Sequence, residues 1–319
     1  MAAYHSPVKL VLLLITWLAY LSEVTVEFLV PYLVPDAVLQ SDDNRTNSSD
    51  GARIILQPYP LTSLTIWAAI NVYQFLWLVY ITSTICRRNP RNRQFIYCVE
   101  GVIPAPALLF FTAGMVARNM AVIASNRLHH MTSLSASGLT PIFFWASVWY
   151  LLRCYKESVL QENRMSADRI LILVLLHNGL CSIATWSTLH FNIQTCRALT
   201  SLAQLPQSSA GIITLFIVCV EVIAWCILDW TIFRHHLVFV VTPYIVCIVG
   251  LAAITDFKPI DLTGSIPSIL LGLEIIVTMV RLMRLFWDAG QTGNQQTKNR
   301  RTHHAQPEPL PDLIPLSVL

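Results

Sequence analysis

The feature that most constrains this chain is the recurrence of apolar runs as long as a bilayer is thick. A spanning helix needs roughly 20 predominantly apolar residues. Segments near that length fall at residues 9–31, 62–85, 95–116, 139–155, 170–191, 211–233, 237–255 and 266–287, the fourth extending back toward Leu134. Inside hydrocarbon every backbone N–H and C=O must find its partner within the protein, which makes each run a helix. The expected fold is therefore an all-α polytopic transmembrane bundle of eight spans occupying residues 1–289. Composition points the same way, with 55% hydrophobic residues, 12% charged residues and a mean hydropathy of +0.56. Residues 290–319 are polar and proline-rich, the signature of a disordered tail.

Orientation follows from the placement of basic residues, because cytoplasmic loops carry the excess. Arg87, Arg88, Arg91 and Arg93 cluster after the second run, and Arg153, Lys156, Arg164 and Arg169 after the fourth. Both loops are expected inside. Eight spans then place both termini in the cytoplasm, and Arg284, Lys298, Arg300 and Arg301 near the C-terminal end agree. The sequons at Asn44 and Asn47 fall in the first outward loop, where N-glycosylation occurs. A rival reading takes Leu10–Leu21 as the core of a cleaved signal peptide, leaving seven helices. Against it, "LAYLSEV" offers no small-x-small cleavage site, and apolar character continues through "VTVEFLVPYLV".

Several functional classes drop out. The net charge of +3 is small and scattered, so nucleic acid is not an expected partner. Of the eight cysteines only Cys196 reaches an outward loop, which leaves it without an outward intrachain partner. The motifs of rhodopsin-like receptors are missing, and the last run lacks the lysine that a retinal Schiff base requires. No P-loop, nucleophile elbow, H-E-x-x-H or internal repeat is present. The histidines are too dispersed along the predicted topology to form a metal-ligand set, and no cofactor is expected.

Polar residues inside the runs carry the remaining information. Glu23, Glu27, Glu100, Glu221, Asp229 and Glu274 all fall within predicted spans. An ionisable group at such depth must face the bundle interior or pair. Thr16, Tyr20, Glu23 and Glu27 lie within an arc of about 60° on the first helix. Thr214, Glu221, Trp225 and Asp229 form a similar stripe on the sixth, and Glu274, Thr278 and Arg281 another on the eighth. His177, Cys181 and Thr188 share a face of the fifth, with Asn178 beside it. Glu100 and Asp229, near cytoplasmic span ends, read as interfacial; Glu23, Glu221 and Glu274 lie deeper. The candidate cavity or proton pathway thus comprises Glu23, Glu221, Glu274, Tyr20, Trp225 and His177. The bland alternative is that these groups are interhelical hydrogen-bonding contacts that fix packing.

The second half carries a resemblance. Asn178-Gly179, Thr185-Trp186 and Asn192, then Glu221 and Trp225, then Thr242-Pro243-Tyr244, look like a little-characterised group of eight-span membrane proteins. That group includes integral-membrane proteins of fungal indole-diterpene gene clusters. The likeness covers roughly residues 170–285, with a weaker match around "AGMVARNMAVIASNR", which lacks the tryptophan typical of that span. It implies an accessory component of terpenoid secondary metabolism at the endoplasmic reticulum or another endomembrane, alongside other membrane-bound biosynthetic enzymes. It supplies no reaction. Two alternatives remain open. One is an intramembrane terpene cyclase using Glu23 or Glu221 as general acid; the other is a proton- or cation-coupled transporter of a small apolar solute.

Overall fold

The computed structural model describes residues 5–33, 60–88, 95–98, 102–126, 129–159, 168, 171–231, 240–254 and 268–284. Among these the chain is helical throughout, apart from short turns and one isolated antiparallel bridge between Arg88 and Phe95. The helices are α1 (Pro7–Leu33), α2 (Pro60–Ser83), α3 (Ala105–Asn126), α4 (His130–Val159), α5 (Asn178–Ser201), α6 (Gln207–Thr231), α7 (Thr242–Ile254) and α8 (268–284). Five of them, α1, α2, α3, α5 and α6, are long and apolar enough to cross a membrane; α5 counts together with the turn before it. The chain divides into two units, 1–276 and 277–319, so only the 268–276 part of α8 belongs with α1–α7. The expected glycosylation sites Asn44 and Asn47 and the 290–319 tail lie outside the described residues.

Prolines set several helix starts. Pro7 and Pro60 open α1 and α2, and Pro243 stands in the first turn of α7, positions where a missing N–H costs no intrahelical bond. The same rule corrects the third expected span, which begins ten residues later than the apolar run does. Its helix starts after Pro104, whose carbonyl accepts from Ala107 and Leu108, and residues 96–98 form a separate 3₁₀ turn. The fourth helix begins nine residues before the expected 139. The small polar residues of this stretch, which the expected span took in only as far as Leu134, are satisfied inside the helix. Ser137 and Thr140 bond back to the carbonyls of Ser133 and Ala136, and Ser133 reaches the Ala121 carbonyl on α3. Interhelical contact overrode local polarity there.

α1 packs on α3, α3 on α4 and α4 on α5, while α5 also meets α2, α6 and α7. In an 18-residue apolar stretch of the 172–201 run 83% of residues are buried, against 28% in the corresponding stretches of α1 and α6. The least apolar of the five long helices is therefore the most buried, and the most apolar, α6, is among the least. That is the expected arrangement where the surroundings are as apolar as the interior. Close contacts with α5 need a missing side chain: a Cβ on Gly179 would stand 2.9 Å from Trp77 Cδ1 of α2. Gln74 of α2 donates to the Gly179 carbonyl at 2.8 Å and accepts from the Trp77 indole, which fixes the α2/α5 crossing.

A six-residue π turn, Ile172–His177, leads into α5. Such turns change the angular phase of the residues beyond them. Here the residue that follows is Asn178, whose Oδ1 accepts the Val241 and Thr242 backbone N–H groups at 3.0 and 3.3 Å. A side chain from another helix thereby serves N–H groups at the start of α7 that no helical carbonyl can reach. The Thr242 hydroxyl completes the contact by donating to the Asn178 carbonyl at 2.8 Å.

Candidate functional site

The intramembrane carboxylates separate into distinct surroundings. The stripe on α1 faces mainly α3. The Thr16 and Thr112 hydroxyls lie 2.9 Å apart, Asn119 donates to the Ser22 hydroxyl at 2.8 Å, and Arg118 joins Glu23 and Glu27. Arg118 forms a close ion pair with Glu23 and a 2.9 Å bond to Glu27, while its guanidinium lies over the Trp67 ring at 3.2 Å from the centroid. Arg118 is 5% exposed and Glu23 1%. Tyr20, on the same stripe, turns to α2 and donates to the Asn71 carbonyl at 3.0 Å. With one guanidinium shared between two carboxylates and an aromatic face covering the cation, this cluster is a clasp between α1, α2 and α3.

Asp229, which the sequence placed at the interface, is instead buried. Its carboxylate accepts the Tyr244 hydroxyl at 2.6 Å, joining α6 to α7. His177 is buried at the end of the π turn, with Nδ1 3.2 Å from the Ile172 carbonyl. Glu100 lies outside the described residues.

Glu221 has different surroundings. α5 and α6 run antiparallel, and their side chains meet one turn at a time: Asn192 with Glu221, then Thr188 near Trp225. Asn192 Nδ2 donates to Glu221 Oε2 at 2.5 Å. Thr188 accepts the Trp145 indole N–H at 3.1 Å, and the Trp145 and Trp225 rings stand 4.8 Å apart. Glu221, Thr188, Trp145 and Trp225 border a cavity of about 360 Å³ walled by α4, α5, α6, α7 and the start of α8. Trp145, Trp149 and Trp225 give it three indoles; Val148, Leu189, Val218 and Val222 supply aliphatic wall; Glu221 and Glu274 are its two carboxylates. Trp149, Ala224 and Leu228 line it and are also exposed on α4 and α6, so it borders an apolar outer face. The volume is in the usual range for small-molecule sites, apolar with a few convergent polar groups.

Of the candidate residues, the structure brings Glu221, Trp225 and Glu274 to this one cavity. Glu23, Tyr20 and His177 are not among its lining residues. Arg118 was missed because the expected third span stopped at 116. The available signal was a lone arginine with apolar residues on both sides in "FFTAGMVARNMAVIAS". Trp145 and Trp149 were missed as well, although their i, i+4 spacing places both on one face of α4. Among the described residues no three His, Cys, Asp or Glu side chains are arranged to hold a metal ion. No protein-family model, curated protein or solved structure matches this chain.

Proposed function

We propose that this chain is an eight-span membrane protein with both termini cytoplasmic, acting as an accessory component of terpenoid secondary metabolism at an endomembrane. Its role there is to hold an apolar intermediate in the cavity between α4, α5, α6 and α7. The observation that carries this reading is the cavity itself, indole-lined and open on an apolar face, where a molecule dissolved in the bilayer can enter without crossing water. The resemblance in residues 170–285 supplies the terpenoid class. Orientation draws support from the α1 start. His5 stacks on Phe95 at 3.9 Å, and Lys9 donates to the Tyr97 carbonyl at 3.0 Å, so the N-terminal end of α1 meets the segment that closes the arginine-rich loop. Arg87 of that loop also makes a two-pronged pair with Asp168 of the second basic loop, at 2.7 and 2.9 Å. Arg87, Asp168 and the start of α1 thus stand at one end of the bundle.

Deleting the gene and profiling the metabolites tests the proposal. Loss of a terpenoid end product with a build-up of its precursor supports it, and an unchanged profile overturns it.

A second reading, intramembrane cyclisation, is favoured by one observation: Glu221, held by Asn192 through one oxygen, lines the cavity a turn from Trp225. As the acid, Glu221 would give its proton to an epoxide oxygen as the C–O bond opens to a carbocation. An alkene electron pair would close the ring, and loss of a proton to the carboxylate would restore the acid, so that substrate and product are isomers. Glu23 fits this role less well, because an ion-paired carboxylate beside Arg118 has no proton to offer. Accumulation of an epoxide in cells carrying Glu221→Gln, with the protein present at normal levels, would establish cyclisation; normal turnover in that variant would exclude it.

A further inference from the structure

We infer that the cavity selects for positive charge: its ligand class is a compact apolar molecule carrying a single cationic centre, an alkylammonium above all. This rests on the reading of the cavity as a binding site for bilayer-borne molecules and adds the chemistry of the head group. Two carboxylates line the cavity, and among the described residues no lysine, arginine or histidine does. The hydrogen bond to Glu221 comes from Asn192, a neutral amide, whereas Glu23 and Glu27 are held by a guanidinium. A positive charge inside the cavity would therefore meet Glu221 without displacing a protein cation.

The indoles reinforce this choice. Trp225 follows Glu221 by one turn and stands 4.8 Å from Trp145, with Trp149 a turn further along α4. Indole faces attract a desolvated ammonium and give little preference to a neutral group of equal shape. Small hydrated cations are poorly served, because the opening lies between apolar faces and the walls are mostly aliphatic or aromatic. What fits is a charge already wrapped in carbon.

The test uses the full chain in lipid nanodiscs and a pair of probes of nearly equal shape, 1-adamantyltrimethylammonium and its uncharged carbon isostere 1-tert-butyladamantane. Binding is followed by quenching of tryptophan fluorescence, with Phe216→Leu, an exposed α6 position outside the cavity, as background. The cation is expected to bind about tenfold tighter than the isostere, in line with a desolvated cation–indole contact plus a carboxylate. Glu221→Gln, which can still accept from Asn192, is expected to bring the two affinities close to equality. Trp225→Leu should lower the cation's affinity more than the isostere's, and it decides the matter should Glu221→Gln fail to fold. Equal or tighter binding of the isostere to the native protein overturns the charge preference while leaving the cavity as an apolar site. Failure of both probes to bind overturns the cavity reading together with the inference.

Discussion

Glu23 and Glu221 are the same residue type set in apolar helices, yet they have been given different neighbours. Glu23 meets Arg118 under the Trp67 ring and is closed off from the surroundings; Glu221 meets the Asn192 amide and borders an open cavity. A cation beside a carboxylate uses up its charge in holding helices together. An amide fixes the carboxylate's geometry and leaves its charge or its proton available. The α1/α3 region is thus built for packing and the α5/α6 region for a ligand, and the difference lies in the partner rather than in the acid.

The contrast can be broken most severely at Arg118. Replacing it with methionine leaves Glu23 and Glu27 buried together without a cation, a loss of about 3–5 kcal/mol by analogy with buried pairs that lose one member. Thermal unfolding in detergent should show a collapse of folded protein. The triple change Glu23→Gln, Glu27→Gln and Arg118→Met should recover most of it, since an uncharged clasp has no stranded ion. If the single variant melts like the native protein, the clasp is not holding α1 to α3.

A smaller effect is expected from Gly179→Ala, where the added Cβ presses on Trp77 at the α2/α5 crossing. Overpacking of this kind costs about 1–3 kcal/mol. Its consequence should appear in the melting temperature of the bundle and much less in ligand affinity, because Trp77 is not one of the cavity's lining residues. Tyr244→Phe removes the hydroxyl that Asp229 accepts, and about 1–3 kcal/mol should be lost as a buried carboxylate oxygen loses its donor. A melt unchanged within error would show that this contact between α6 and α7 contributes nothing.

At the small end stands Glu221→Gln. A half-buried carboxylate bonded to a neutral amide can be exchanged for an amide with the hydrogen bond retained, so stability should move by less than about 1 kcal/mol. That near-neutral melt, set beside the Arg118→Met collapse, is the sharpest form of the comparison. A large destabilisation at Glu221 would make it another clasp.

Much of the fold was legible because bilayer thickness and backbone hydrogen bonding are written into run length. The α1 stripe was legible too, since Thr16, Tyr20, Glu23 and Glu27 recur at helical spacing. What periodicity could not supply was the partner. Arg118 lies 91 residues from Glu27, and only the α1/α3 packing joins them. The late start of α3 also hid it, because the apolar residues 95–98 look like span and instead form a turn against the N-terminal segment. Asp229 misled for a related reason: its distance from the span end suggested water, but Tyr244 of α7 covers it.

By itself the sequence determined an all-helical membrane protein with carboxylates on the inner faces of its helices, because hydrocarbon forbids unpaired backbone and penalises charge facing lipid. Only the tertiary structure decided which acids are neutralised and which border a cavity. Angular phase along one helix fixes a direction, but what stands in that direction depends on how α3 and α5 cross their neighbours.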